Sequence, residues 1–272
     1  MSGSLIAVDI GNSYVHLARY AERDVAACSE GALPPMRAWP QSHSRDPIRI
    51  DGPSDDLLSL LPDDPVSWRV TSVHRGREAD LAEWVRRARP RDAYRRLEPA
   101  DYRVTLDVRR PDRVGRDRIA AAAAVNRIRS PGRGAVIVDG GTAVTIDLVD
   151  KRGVFRGGAI LPGPRLWSDA LHEHTDGLPR VAIPAERPSP VGRDTQGAIQ
   201  SGVFHGIRGA VLELVRAIAD ELPEPPQLFL TGGWHDLERL AEWNPRFIPE
   251  LVLAGTALAG CGGPTGGVND VS

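Results

Sequence analysis

The chain reads as an α/β protein built from two related halves, and three observations carry that reading. An apolar run ending in Asp-x-Gly occurs twice: residues 5–8 lead into Asp9-Ile10-Gly11-Asn12-Ser13, and residues 135–138 lead into Asp139-Gly140-Gly141-Thr142-Ala143, 130 residues later. Stretches of strand and helix character are mixed throughout, which is the pattern of an α/β or α+β fold. The 272 residues, 41% hydrophobic and 26% charged, suit one large domain or two small ones of ordinary globular composition.

Each element has its own signal. Residues 5–8 and 15–20 are expected to form a hairpin around the first Asp-x-Gly turn. Residues 31–65 are rich in Pro, Ser and Asp and give no periodic signal. Residues 68–73 read as a strand, and 78–88 as a helix with Leu81, Trp84 and Val85 on one face. Residues 102–108 alternate weakly and are expected to be a strand, followed by a loop over 111–115. The alanine-rich run 117–128 has high helix propensity. Residues 135–139 and 145–149 repeat the strand–turn–strand pattern, with a further strand over 153–160 and a turn over 161–164. Ser168 is expected to cap a short helix ending near Glu173. A long helix over 195–219 follows, then a strand over 228–230 closing on Thr231-Gly232-Gly233. A helix over 235–243 and a last element over 250–258 complete the fold, and the glycine-rich segment from Gly260 is expected to be disordered.

Bulk properties exclude several classes of function. A net charge of −2 gives no sign of nucleic-acid or membrane-surface binding. Lys151 is the only lysine, and no G-x-x-x-x-G-K-[ST] occurs, so phosphate binding through a P-loop is excluded. Cys28 and Cys261 stand alone, without the pairing a disulfide framework or zinc site needs. No segment has eighteen apolar residues in a row and the N-terminus has no signal-peptide pattern, so a cytoplasmic protein is expected.

The two turns point to nucleotide chemistry. Glycine lets the backbone approach a ligand closely, neighbouring amides and hydroxyls hold phosphate oxygens, and the Asp suits a hydrated divalent cation. One such turn is commonly a plain surface turn; a matched pair suggests two lobes gripping one nucleotide. Gly115-Arg116-Asp117-Arg118 opens the alanine-rich helix. Its bland reading is a capping Asp with a solvated Arg. Its functional reading is a carboxylate that takes a proton from a substrate hydroxyl beside an Arg that meets a carboxylate or phosphoryl charge. Gly157-Gly158-Ala159-Ile160-Leu161-Pro162-Gly163 permits close backbone approach or is a structural turn. Thr231-Gly232-Gly233 offers a shelf for adenine or ribose. In Gly192-Arg193-Asp194-Thr195, Thr195 either caps the long helix or offers its hydroxyl to a substrate. His172 and His174 lack metal-ligand spacing.

The order of these motifs, D-I-G-N-S, V-G-R-D-R, D-G-G-T-A-V-T, G-G-A-I-L-P-G, G-R-D-T and T-G-G, resembles the type III pantothenate kinase family. That family lies within the acetate kinase, sugar kinase, heat-shock ATPase and actin superfamily. The resemblance implies two ribonuclease-H-like lobes with a nucleotide cleft between them, here residues 1–115 and 116–260, with 261–272 as a tail. It implies ATP-dependent phosphorylation of pantothenate, the first step towards coenzyme A, in a homodimer that uses Mg²⁺ and a monovalent cation such as K⁺ or NH₄⁺. Carried across by motif, Asp9, Ile10, Gly11, Asn12, Ser13 and Thr142 would bind ATP. Asp117 would be the proton acceptor. Gly115, Arg116, Asp117, Arg118 and Thr195 would contact pantothenate, with Arg118 on its carboxylate. Asp139 would help hold the monovalent cation, and Asp9 would hold Mg²⁺ through water. Gly140 stands where the family is usually bulkier, and Asp194 where it usually has Asn. Two other readings stay open: a non-catalytic regulator on the same fold, and a superfamily kinase for another small hydroxyl compound. Asp9, Asp117 and Asp139 together favour a kinase, since a binding protein has no chemical need for all three.

Overall fold

The structure, a computed structural model, describes residues 3–40, 46–233 and 238–260. Its first half contains β1 (Ser4–Ile10), β2 (Val15–Ala21), α1 (Glu22–Ala26), β3 (Ile48–Ile50), α2 (Asp55–Leu60), β4 (Val66–Ser72), α3 (Arg75–Ala88) and β5 (Ala93–Arg96). After 3₁₀ turns at Pro99–Tyr102 and Pro111–Arg113 come α4 (Arg116–Ile128), β6 (Ala135–Gly140), β7 (Ala143–Val149), β8 (Phe155–Pro162), α5 (Pro164–Glu173), α6 (Thr195–Asp220), β9 (Gln227–Gly232), β10 (Arg246–Phe247) and α7 (Leu251–Leu258).

Among the described residues these strands form two five-stranded sheets, ordered β3-β2-β1-β4-β5 and β10-β9-β6-β7-β8. The central strands β1 and β6 have the same surroundings. Each pairs antiparallel with the strand that follows it and parallel with a later one, β4 or β9. The register matches as well: Asp9 lies opposite Thr71 on β4, and Asp139 opposite Thr231 on β9.

Both central strands are buried on two faces, which is why their sequences are apolar without alternation. In β1, Ile6, Val8 and Ile10 face a core that includes Leu81, Trp84 and Val85 of α3, while Leu5 and Ala7 face Leu253 and Ala257 of α7. In β6, Val136 and Val138 face Val203, Ile207 and Val211 of α6, while Ala135 and Ile137 face α4. Helices α4 and α7 therefore form a layer between the sheets, with α3 and α6 outside. Contact between α4 and α7 is close: a Cβ on Gly255 would fall 1.9 Å from the Ala120 carbonyl oxygen. Counted from either strand end, Asp9 and Asp139 share the inward face, so both point at this layer.

Some sequence expectations need correction. Residues 102–108 form no strand. Arg103 takes a left-handed φ of 54° after the 3₁₀ turn, and only Leu106 bridges to Phe155. Ser168 is not a cap: α5 starts at Pro164 after Gly163, and the buried Ser168 hydroxyl donates to the Val181 carbonyl at 2.6 Å. Strand β8 runs on through Pro162, where a turn was expected, and Gly153 lies in the preceding turn at φ 85°. Thr195 is no cap either, because the Asp194 carboxylate accepts from the Gly197 amide at 2.7 Å and caps α6. In the 235–243 region, the described part is a 3₁₀ helix at Glu238–Trp243, and His235 lies outside the described residues. The segment 31–65, silent in sequence, contributes β3 and α2. The expected tail from Cys261 onward lies outside the described residues.

Candidate active site

Each Asp-x-Gly turn is closed by the amide of its glycine, the first turn being one residue longer than the second. The Gly11 amide donates to the Tyr14 carbonyl and the Gly141 amide to the Ala143 carbonyl, both at 3.0 Å. The two turns meet: the Ser13 and Thr142 hydroxyl oxygens are 2.8 Å apart, across 129 residues of sequence. A pair of hydroxyl-bearing turns facing each other can cradle phosphate oxygens, with glycine letting the backbone approach them. Ile10 contributes backbone here, its side chain being buried in the first core, and Asn12 is exposed.

Three carboxylates gather beneath this cradle. Burial pushes the Asp9 carboxyl well above the usual range, and the nearby charges of Asp117 and Asp139 push it further. Burial likewise raises Asp139 to about 7, with Asp117 and Asp147 adding to the effect. Asp117 is raised by burial and held back by hydrogen bonds to backbone amides and by Arg118. Buried acids that repel one another in this way favour a bound cation or a proton that offsets their charge.

Asp117 is set by its neighbours. It sits in the first turn of α4, and its Oδ1 accepts from the Arg118 amide at 2.8 Å. A Cβ on Gly115 would lie 2.4 Å from that same oxygen, so glycine is what leaves room for the carboxylate. Arg118 reaches across to β7, where its Nε donates to both oxygens of Asp147 at 3.0 and 3.1 Å and its Nη2 to Oδ1. Asp147 is 1% exposed, and sequence analysis did not single it out. The available signal was an acid inside an apolar strand, two residues after Thr145 and so on the same face.

The glycine motifs serve close approach within the protein. A Cβ on Gly158 would come within 1.9 Å of the Ile146 carbonyl oxygen and 2.7 Å of Asp147 Oδ1. One on Gly163 would strike the Gly141 and Thr142 carbonyls at 2.4 and 2.5 Å, and the Gly163 amide anchors Thr142 through a 2.9 Å bond. Gly232, at φ 86°, leaves space for the Asp139 carboxylate, which a Cβ would approach to 2.6 Å. A further feature absent from the sequence reading lies behind Asp9. Thr71 on β4 shares buried hydroxyl contacts with Tyr102 at 2.6 Å and Thr256 of α7 at 2.7 Å.

Not every expected site residue joins this group. The Arg116 side chain turns away to the Leu97 carbonyl at 3.1 Å and to Glu98 at 2.5 Å. Thr195 is exposed at the start of α6, where it lines an apolar groove of about 340 Å³ with Trp167, Leu171 and Ile199.

The family model for type III pantothenate kinases matches residues 5–217 of this chain. The chain belongs to the type III pantothenate kinase family. Among curated members, the enzyme of Legionella pneumophila strain Paris is 39% identical over 158 residues, covering 57% of this chain and 61% of the relative. That of Rhodopirellula baltica is 35% identical over 248 residues, covering 84% and 87%. The chain thus spans about three-fifths of the length of the Legionella relative that it matches. Among solved structures, a Baf family protein from Campylobacter jejuni superposes with a TM-score of 0.50 at 21% identity, covering 92% of this chain and 93% of that one. The ethanolamine utilization protein EutJ from Carboxydothermus hydrogenoformans superposes with a TM-score of 0.51 at 15% identity, covering 96% and 91%. These likenesses show the shared two-lobed fold. The family match ends at residue 217, within α6, so it includes Asp9, Asp117, Asp139 and Asp147 and leaves β9 and α7 outside.

Asp9 suits a divalent cation of the kind that ATP-dependent kinases use. Asp9 Oδ1 is buried and has no hydrogen-bond partner among the described residues, as expected of an oxygen kept for a hydrated cation. Among the described residues no three His, Cys, Asp or Glu side chains form a metal cage by themselves.

Proposed function

We propose that this protein transfers the γ-phosphoryl group of ATP to the terminal hydroxyl of pantothenate. The observation that carries the reading is the convergence of Asp9, Asp117 and Asp139 under two hydroxyl-bearing turns, with Arg118 beside Asp117. Family membership supports the substrate pair.

The lobes divide at Gly115, and the phosphates of ATP lie on Gly11, Asn12, Ser13 and Thr142. Asp117 accepts the proton of the substrate hydroxyl as its oxygen attacks the γ-phosphorus; the bond from that phosphorus to the bridging oxygen breaks, and ADP leaves. Burial suits Asp117 to this role, because a raised pKa makes its carboxylate a better proton acceptor. Gly115 gives the base its room, and Arg118 binds the pantothenate carboxylate. Arg116 acts from behind by tying the start of α4 to Leu97 and Glu98. Thr195 offers its hydroxyl to pantothenate at the mouth of α6. Asp9 holds Mg²⁺ through water, and Asp139 helps hold K⁺ or NH₄⁺; when bound, these ions offset phosphate charge. The protein works in the cytoplasm as a homodimer. Among the described residues no helix is long and apolar enough to cross a membrane.

The test is a coupled assay of ADP release with ATP, Mg²⁺ and K⁺, with and without pantothenate. The reading requires release that depends on pantothenate and yields its 4′-phosphate. Release that is the same without pantothenate, or none at all, removes it.

A further inference from the structure

Arg118 is held by more than its own helix. Two of the three nitrogens of its guanidinium are occupied: Nε and Nη2 both bind the Asp147 carboxylate along one edge, while Nη1 has no partner among the described residues. The flat face of the group lies 5.5 Å from the centre of the Phe155 ring. Asp147 is fixed in turn. Thr145 donates to its Oδ2 at 3.3 Å, and Gly158 opposite leaves it room, since a Cβ there would lie 2.7 Å from Oδ1. The pair is nearly enclosed, with 14% of the Arg118 side chain and 2% of the Asp147 side chain exposed.

Such an arrangement costs desolvation and is weak evidence for a purely stabilising role. It has a clear use at this position. Arg118 follows Asp117 directly and feels its charge, and a guanidinium in that place is drawn to whichever carboxylate is nearest. We propose that Asp147 is a positioning residue: it holds Arg118 away from Asp117 and aims the remaining Nη1 edge at the carboxylate of an acidic substrate. Specificity for an anionic substrate then depends on Asp147 through Arg118. This inference rests on the reading of Arg118 given above.

The experiment is a double-mutant cycle on the full chain, with steady-state constants for pantothenate and ATP and a melting temperature for each variant. Arg118→Lys tests the underlying reading, Asp147→Asn the inference, and the double variant their coupling. Asp147→Asn keeps the shape but lets Arg118 swing towards Asp117. It is expected to raise KM for pantothenate on the order of tenfold, the loss of one charge-assisted contact, with KM for ATP within about twofold. Added to Arg118→Lys, it should cost little more, because coupled residues are not additive. If Arg118→Lys leaves the pantothenate KM unchanged, the Arg118 reading itself fails. If Arg118→Lys raises that KM while Asp147→Asn leaves it unchanged, or the two losses multiply, only the role of Asp147 fails. A lower pantothenate KM in Asp147→Asn would mean that Asp147 merely repels the substrate, and would also overturn the proposal. Should Asp147→Asn not fold, Thr145→Val loosens Asp147 from one side without changing its charge. It must then raise the pantothenate KM selectively, and an unchanged KM refutes the role.

Discussion

Gly115→Ala is expected to slow turnover about 100-fold while leaving the protein folded. The added Cβ would lie 2.4 Å from Asp117 Oδ1, 3.6 Å from the carboxyl carbon and 3.7 Å from Arg118 Cδ. Ordinary contact needs about 3.5 Å, so the carboxylate must retreat by roughly 1 Å. The atom that moves is the free end of a side chain, and Gly115 has φ −57° and ψ 133°, which alanine adopts without strain. The structural cost is then limited to the poorer helix capping of alanine, about 1 kcal/mol or less. In a chain of this size that lowers the melting temperature by roughly 2–4 °C. The chemical cost is larger, because a general base misplaced by about 1 Å loses on the order of 10² in rate, or about 2.7 kcal/mol of barrier. The assay is ADP release at saturating ATP and pantothenate, beside a thermal melt. A kcat within about threefold of wild type would refute the account of how Asp117 is placed. A melting temperature lower by more than about 10 °C would show that the loss is one of folding.

Asp117→Asn should lower kcat by roughly 10²–10⁴-fold with ATP affinity unchanged, and turnover within a few-fold of wild type contradicts the base assignment. The wild-type pH profile bears on the same residue. Because burial raises the Asp117 pKa and the base must be ionised, kcat/KM should fall as pH drops through a value above the ordinary carboxylate range of about 4; an acid limb at or below that range counts against it. Asp9→Ala should abolish phosphotransfer yet leave the melting temperature unchanged or higher, since it removes a buried oxygen that has no partner; normal rate and Mg²⁺ dependence in this variant would sink its role. Titrating KCl against tetramethylammonium chloride at constant ionic strength should saturate activity in wild type at a high concentration, and not in Asp139→Asn. Full activity without K⁺ or NH₄⁺ removes the ion from the mechanism.

Both Asp-x-Gly turns, the hairpins around them and the helix opened by Asp117 were legible in the sequence, because each is decided locally. A doubly buried strand must be apolar throughout, a tight turn after it calls for glycine, and an alanine-rich run favours a helix. The matched registers of Asp9 with Thr71 and Asp139 with Thr231, by contrast, join strands distant in sequence and are set only by the tertiary fold. Local signals failed where another segment decides the outcome. Residues 102–108 alternate like a strand, yet with β8 beside them at Phe155 alone there is no ladder to join. The start of α5 is set by Pro164 at its first position, a local signal that outweighs Ser168. The contacts that make the site lie beyond any local reading. Ser13 meets Thr142, Arg118 meets Asp147 from 29 residues away, and Gly158 and Gly163 are required by carbonyls on a neighbouring strand and turn. Which face of β7 looks inward is fixed only when α4 packs against that sheet, and until then Asp147 is simply one more acid in a strand.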